Sequence, residues 1–245
     1  MIPEPIWLIL VLLLMIAVIF LLIKIKKQAR QIASLQGHDS SKSSNAFHYL
    51  AIGNSITLHG KCNYWWNEIG MAASTPEKDY FHLVTTHLKK VHKKVTTDAY
   101  NFFVWETTAH DRTQTIGNVR PLLSADLDLI TVQLSENASD LTTFSEDLTE
   151  LLTHLRQACP KAKIVLVDDF WNDKKSALKQ AVAEQLAIPF ASLSHIRGKE
   201  EFQCGLNTTV YGDDHTLHTV EHNGVAAHPG DTGMQTIAQA IIDLL

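Results

Sequence analysis

Four polar residues of this sequence have the chemistry for acyl transfer: Ser55, Glu106, Asn137 and His228. A serine hydroxyl attacks a carbonyl when an imidazole takes its proton, and fixed N–H groups stabilise the oxyanion that forms. His228 could supply the imidazole, and Asn137 an uncharged amide donor. Taken singly, each has a more ordinary interpretation, as a turn serine, a loop histidine beside a proline or a helix-capping asparagine.

The first of these residues follows a short buried strand. Residues 50–52 are an apolar run without polar alternation, which is typical of a strand buried on both faces of a parallel sheet. The run ends at Gly53 and Asn54, where a sharp turn is predicted. In open α/β sheets the carboxyl ends of the strands line the ligand crevice, so Ser55 is expected at its mouth.

Strands and helices alternate along the rest of the chain. Further strands are predicted at residues 99–105, 127–133, 162–167 and 188–191, and helices at residues 78–94, 141–158, 174–186 and 234–245. This alternation predicts a five-stranded parallel sheet with right-handed crossovers. Glu106 and Asn137 would follow the second and third strands, and His228 would precede the last helix. All four candidate residues are therefore expected at one edge of the sheet.

The N-terminal part of the chain has a different composition. Residues 6–23 are 18 consecutive apolar residues, which span about 27 Å as a helix and so match a bilayer core. Lysines follow the run and no basic leader precedes it, which favours an uncleaved anchor over a signal peptide. The predicted organisation is an anchor with its basic flank over residues 1–30, a polar tether over 31–46 and a catalytic domain over 47–245.

The chain is accordingly expected to be a single-pass membrane protein. The basic flank after the span favours a cytoplasmic catalytic domain, although exported chemistry would need the opposite side and the side is left open. The net charge of −5 and the absence of a basic stripe after the first thirty residues argue against nucleic-acid binding. Three widely spaced cysteines without a Cys-x-x-Cys pair argue against a disulfide framework.

One segment offers a rival chemistry. Residues 213–228 are rich in aspartate and histidine, a composition that can bind zinc. His215, His218 and His222 would share one face of a helix, but Gly212 and Gly224 flank a segment too short for a firm helix prediction. No metal and no cofactor is therefore predicted.

Three blocks taken together resemble the SGNH/GDSL hydrolases: Gly53 to Ser55, Ser135 to Asn137, and His228 with Pro229. The resemblance covers about residue 47 to the end of the chain. It implies a three-layer α/β/α sandwich around a five-stranded, flavodoxin-like parallel sheet. It further implies Ser55 as nucleophile and backbone oxyanion donor, Asn137 as side-chain oxyanion donor and His228 as general base.

The sequence departs from that family's pattern in three places. The first block has Asn54 where aspartate is usual. A further block of the family, its second, usually supplies a glycine N–H after the second strand. Residues 104–107 contain no glycine, so a donor there could only be a backbone N–H near Glu106. The aspartate expected three residues before His228 is Val225. Either a Ser–His dyad operates, with a backbone carbonyl or a water behind the imidazole, or another carboxylate orients it, the nearest in sequence being Glu221 and Asp231.

These observations predict a serine-dependent ester hydrolase that removes an acyl group, such as acetyl, through an acyl-enzyme on Ser55. The expected partners are a small-molecule or glycan ester and, through the N-terminal helix, a membrane. One alternative is an acyltransferase of the same fold. The other is a catalytically inactive carbohydrate-binding module, because replacement of the orienting aspartate by Val225 can cost several orders of magnitude in rate.

Overall fold

A computed structural model describes residues 46–245, and their centre is a five-stranded parallel sheet. The strands are β1 (Phe47–Gly53), β2 (Val95–Asn101), β3 (Leu129–Gln133), β4 (Lys163–Val167) and β5 (Phe190–Ala191). They lie in the order β2-β1-β3-β4-β5 and every neighbouring pair is parallel. This is the flavodoxin-like order, in which the strand sequence changes direction between β1 and β3 and opens a crevice there.

Helices and a small hairpin complete the described residues. The helices are α1 (Tyr80–Val91), α2 (Phe103–Thr107), α3 (Arg112–Thr115), α4 (Phe144–Ala158), α5 (Asp173–Leu186), α6 (Asn223–Ala226) and α7 (Asp231–Ile242). Short 3₁₀ turns occupy Pro76–Lys78, Ile116–Asn118, Arg120–Leu122 and Glu200–Phe202. Strands β6 (Thr209–Tyr211) and β7 (Leu217–Thr219) form an antiparallel hairpin.

Two apolar cores, one on each face of the sheet, define three layers. In β1, Tyr49 and Ala51 belong to the core that also contains the buried side chains of α1 and α7. Leu50 and Ile52 belong to the other core, with those of α4 and α5. Successive strand residues point to opposite faces, so a strand covered on both sides must be apolar throughout. The sandwich around a five-stranded parallel sheet is therefore confirmed.

The second predicted strand was misplaced. β2 ends at Asn101, and Phe103 to Trp105 begin helix α2 instead of continuing the strand. β2 lies at the edge of the sheet and most of its residues are only half-buried, so its sequence lacks the apolar run that marks β1 and β3. Phe102 and Trp105 are buried three residues apart, which is a helical spacing.

The predicted anchor at residues 6–23 and most of the tether lie outside the described residues. Within residues 46–245, no helix is long and apolar enough to cross a membrane.

Candidate active site

Ser55 and His228 are in direct contact at the carboxyl end of the sheet. The Oγ atom of Ser55 lies 2.7 Å from Nε2 of His228, although 173 residues separate them in sequence. Ser55 follows β1 directly, and His228 lies in the loop between α6 and α7. Both side chains are half-buried. A hydroxyl and an imidazole at this distance form the nucleophile–base pair that acyl transfer requires.

The hydrogen bond at Nδ1 of His228 determines which of the two ring nitrogens carries the proton. Nδ1 lies 2.6 Å from the backbone oxygen of Gly224. A carbonyl oxygen only accepts hydrogen bonds, so Nδ1 carries the proton and Nε2 is the bare acceptor for the Ser55 hydroxyl. Burial, against the opposing Gly224 hydrogen bond, and to a lesser degree the positive charge that His59 and His222 can carry together lower the pKa of His228 to about 4. The imidazole is therefore neutral at pH 7, as a general base must be.

The turn that presents Ser55 depends on close packing at Gly53. A Cβ at position 53 would lie 1.8 Å from Oγ1 of Thr57 and 2.8 Å from the backbone oxygen of Gln133. The glycine is needed for space, and it does not have a positive φ angle as a turn-forming glycine often does. Asn54 then closes the turn, because its Oδ1 accepts a hydrogen bond of 3.0 Å from the backbone N–H of Ile56.

Asn137 shares a cavity of about 390 Å³ with Ser55 and His228. Its other lining residues include His59, Met71, Asn101 and Phe103. A larger cavity of about 790 Å³ borders α3 and α4, but none of the four candidate residues lines it. Within residues 46–245 the backbone N–H of Ser55 makes no hydrogen bond, which leaves it free to donate beside the Asn137 amide to an oxyanion.

Several solved structures have a fold similar to that of this chain. The chain is similar to a two-domain esterase active on acetylated mannans (TM-score 0.54, 18% identity), covering 85% of this chain and 52% of that one. It is also similar to the acetyl xylan esterase Axe2 of Geobacillus stearothermophilus (TM-score 0.51, 14% identity, 82% of this chain and 96% of that one). TesA is similar to the same degree (TM-score 0.51, 12% identity, 80% and 96% coverage). The chain has the SGNH/GDSL hydrolase fold.

The similarity is one of structure. No protein-family model and no curated protein matches the sequence. The chain spans about half the length of the mannan esterase. The SGNH/GDSL resemblance that the three blocks suggested is thus supported at the level of the fold.

Where the usual SGNH/GDSL pattern has an orienting acid behind the histidine, Nδ1 of His228 contacts the Gly224 carbonyl instead. Val225 stands at the position of the acid and is fully buried. Among the hydrogen bonds of residues 46–245, none joins the imidazole to either of the two carboxylates nearest to it in sequence. Asp231 binds Ser74 and Lys78 at 2.7–2.8 Å, and Glu221 is exposed. The pKa of Asp231 is lowered, because the hydrogen bonds from Lys78 and Ser74 outweigh its partial burial.

The second SGNH/GDSL block is also built differently. Glu106, whose backbone N–H was the expected donor, lies within helix α2 and is not among the residues that line the Ser55 cavity. Phe103 lines the cavity at that place, and its backbone N–H already donates to Oδ1 of Asn101 at 2.9 Å. What Glu106 contributes is its carboxylate, which accepts a hydrogen bond of 2.7 Å from the side-chain amide of Asn137.

A group of carboxyl side chains, buried at Glu106 and Asp169 and half-buried at Glu136, lies behind the site. Oε2 of Glu136 lies 2.7 Å from Nδ2 of Asn54, and Oδ2 of Asp169 accepts from the Ser135 hydroxyl at 2.6 Å. Burial and the negative charges of Asp169 and Glu106 raise the pKa of Glu136 to about 8. The positive charge of Lys179 offsets only part of this rise. Glu136 therefore keeps its proton at neutral pH, which limits the negative charge next to the nucleophile turn.

The histidine-rich segment does not form the helix on which the zinc alternative depended. Residues 217–219 are strand β7. His218 stacks on Trp66 with ring centroids 4.3 Å apart, and His222 stacks on Tyr64 at 4.2 Å. In the part of the chain that the structure describes, no group of three or more His, Cys, Asp or Glu side chains is placed to hold a metal ion.

Trp171 is a site residue that sequence reasoning missed. Its ring meets the His228 imidazole edge-on with centroids 5.2 Å apart, and its Nε1–H donates to the backbone oxygen of Ala227 at 3.0 Å. The ring therefore holds the loop that carries the base. Its position directly after β4, where another loop reaches the crevice, was the available signal.

Proposed function

We propose that this protein is a serine esterase that removes a small acyl group from an ester through a covalent intermediate on Ser55. The observation that carries the proposal is the 2.7 Å contact between Ser55 Oγ and the unprotonated Nε2 of His228. Asn137 lines the same cavity and supplies an amide donor for the oxyanion.

The reaction has two halves. The hydroxyl of Ser55 attacks the carbonyl carbon while its proton moves to Nε2 of His228. The tetrahedral oxyanion accepts hydrogen bonds from the Ser55 backbone N–H and the Asn137 amide. Its collapse leaves the acyl group on Ser55, and the alcohol departs with the proton from Nε2. Water then attacks the acyl-enzyme with His228 as base, which releases the carboxylic acid and restores the serine.

The Gly224 carbonyl makes this base weaker than one in a full triad. A carbonyl dipole stabilises the imidazolium less than a carboxylate charge does, and the low pKa of His228 has the same consequence. Such a base is available over a wide pH range but takes the serine proton less readily. We therefore expect turnover to be slower than in a Ser–His–Asp enzyme.

A second cavity next to the first favours a carbohydrate as the alcohol part of the ester. It has a volume of about 240 Å³ and shares Tyr64 and His222 with the Ser55 cavity. Its remaining lining residues are Asn63, Trp66, Thr219 and Glu221. Aromatic rings beside polar side chains suit a sugar, because ring faces pack against C–H groups while hydroxyls form hydrogen bonds. Two solved structures of similar fold are an acetyl xylan esterase and an esterase active on acetylated mannans.

Acetate release by the full-length protein tests the proposal. We expect hydrolysis of p-nitrophenyl acetate and of acetylated xylo- or manno-oligosaccharides, and a loss of at least about 10³-fold in Ser55→Ala. The matched control is Ser194→Ala, which removes an exposed hydroxyl. If Ser55→Ala releases acetate as fast as the wild type, Ser55 is not the nucleophile.

The two alternatives give different results in the same assay. An acyltransferase would move acetyl from p-nitrophenyl acetate to an added oligosaccharide faster than to water. An inactive binding module would bind the oligosaccharide without releasing acetate. For the second cavity, Trp66→Ala should lower kcat/KM for the acetylated oligosaccharide and leave that for p-nitrophenyl acetate nearly unchanged, because only the sugar reaches Trp66.

A further inference from the structure

The carboxylate of Glu106 is buried without a cation partner. The residue is 1% exposed, and it takes part in none of the ion pairs of residues 46–245. Arg112 reaches the backbone oxygen of Glu106 at 3.4 Å, and its own ion pair is with Asp147 at 2.9 Å. A buried carboxylate needs hydrogen bonds to replace its lost hydration.

Four N–H groups supply those hydrogen bonds, and they come from two separate loops of the site. Oε1 of Glu106 accepts from the side chain of Asn54 at 3.0 Å, from the backbone of Ser135 at 2.6 Å and from the backbone of Asn137 at 3.4 Å. Oε2 accepts from the side-chain amide of Asn137 at 2.7 Å. One carboxylate therefore connects the turn that carries the nucleophile with the loop that carries the amide donor.

The contact with Oε2 decides which end of the Asn137 amide is presented to the substrate. A carboxylate accepts hydrogen bonds only, so the nitrogen end of the amide must face Glu106. This nitrogen has two hydrogens, and Glu106 engages one of them. The other remains for the cavity that Asn137 lines with Ser55. A flipped amide would instead turn its oxygen, and hence partial negative charge, toward a developing oxyanion.

The backbone beside Asn137 needs the same support. Ser135 has a φ angle of +149°, a conformation that residues with side chains rarely adopt. Its N–H is held by Glu106, and its hydroxyl donates to Asp169 at 2.6 Å. The loop thus keeps an unfavourable conformation because surrounding hydrogen bonds hold it two residues before the donor.

We propose that Glu106 is a positioning residue that orients the Asn137 amide for oxyanion stabilisation and ties it, through Asn54, to the nucleophile turn. This role rests on the proposed esterase function. Glu106 touches no substrate, and its effect on the reaction is exerted through Asn137.

The test is a double-mutant cycle in the full-length protein with p-nitrophenyl acetate. Glu106→Gln, which puts an amide nitrogen among the donors, should lower kcat about 10²-fold and change KM by less than about threefold. Asn137→Ala should lower kcat by about 10²–10³-fold for the same reason. The double variant should be no slower than Asn137→Ala, because Glu106 acts through that residue. Losses that multiply in the double variant would overturn the proposal.

Asp168→Asn is the matched control for a buried carboxylate. Asp168 is fully buried, accepts a hydrogen bond of 2.9 Å from the backbone of Leu193 and pairs with Arg197, but does not line the Ser55 cavity. Its substitution should lower the melting temperature and leave kcat within about threefold. If Glu106→Gln behaves in the same way, Glu106 has a structural role only.

A measurement on the wild type decides the matter even if Glu106→Gln does not fold or no ester is cleaved. Of the two side-chain amide protons of Asn137, identified by their absence from the NMR spectrum of Asn137→Ala, the one that faces Glu106 should exchange with water markedly more slowly than the side-chain amide protons of exposed asparagines. Two amide protons that both exchange as fast as those of an exposed asparagine would overturn the positioning role. An ordered amide in a protein without esterase activity would instead overturn the proposed function and, with it, the catalytic purpose of the contact.

Discussion

The imidazole of His228 is oriented by the backbone carbonyl of Gly224, which lies 2.6 Å from Nδ1. Four residues separate the two, so the short helix α6 brings its own carbonyl to the base that follows it. The carbonyl fixes the same tautomer that an aspartate would fix, but it contributes no negative charge. The geometry thus supports the proposal of a Ser–His dyad with a backbone carbonyl in place of the acid.

This arrangement predicts that neither nearby carboxylate is a third catalytic member. Glu221→Gln and Asp231→Asn should each leave kcat/KM for an activated ester within about tenfold, whereas loss of an orienting acid costs on the order of 10⁴. Asp231→Asn should also lower the melting temperature, because its carboxylate binds Ser74 and Lys78. A collapse of activity in one variant, with its fold intact, would name that residue as the orienting acid.

The low pKa of His228 predicts activity at unusually acidic pH. Because the base must be neutral, kcat/KM for p-nitrophenyl acetate should fall on the acid side near pH 4, and not near the ordinary value of 6.5. Between these values the unfolded chain binds a proton at this residue and the folded chain does not. Stability should thus increase with pH from about 4 to 6.5, and His228→Gln should flatten that rise in a series of thermal melts. An acid limb centred at pH 6.5 would show an imidazole that is not buried.

Asn54→Asp tests the bridging role of the residue that departs from the usual Gly-Asp-Ser block. Nδ2 of Asn54 lies 3.0 Å from Oε1 of Glu106 and 2.7 Å from Oε2 of Glu136, so an aspartate would remove this donor and place a second carboxylate beside that of Glu106. We expect a loss of about 1–3 kcal/mol in the free energy of unfolding. Equal stability of Asn54→Asp and the wild type, measured by denaturant titration, would contradict the bridge.

The predicted division of the chain can be tested directly. Residues 47–245 without the anchor and tether should be soluble and unfold in one cooperative transition, because the two cores on either face of the sheet lie within residues 46–245. Circular dichroism during a thermal melt is the measurement. Aggregation or a gradual transition would mean that the first 46 residues contribute to the core.

The sequence revealed the parts of the site that depend on regular structure. β1 was recognisable because both of its faces are buried, and the turn after it placed Ser55 at the crevice. The histidine before the last helix followed from the same reasoning, and the structure places it against Ser55. The misplaced β2 is an edge strand with half-buried residues, and the β6–β7 hairpin is too short to show a period.

What the sequence did not reveal are contacts made by backbone groups and buried charges. The Gly224 carbonyl has no sequence signal, because every residue carries a carbonyl. Glu106 was singled out for its backbone N–H, whereas the structure brings its side chain to Asn137. Polar residues after a strand are expected at the surface, and only the fold shows that this carboxylate is buried among four donors.

Labelling with a fluorophosphonate is the most direct test of the claim that His228 activates Ser55. The probe bonds covalently to an activated serine, so mass spectrometry of the full-length protein should locate one phosphonate on Ser55. His228→Ala should slow the labelling by about 10²–10⁴-fold, the range that a general base contributes, and Ser194→Ala should leave it unchanged. Labelling at another residue, or labelling of Ser55 at the same rate in His228→Ala, would contradict the account.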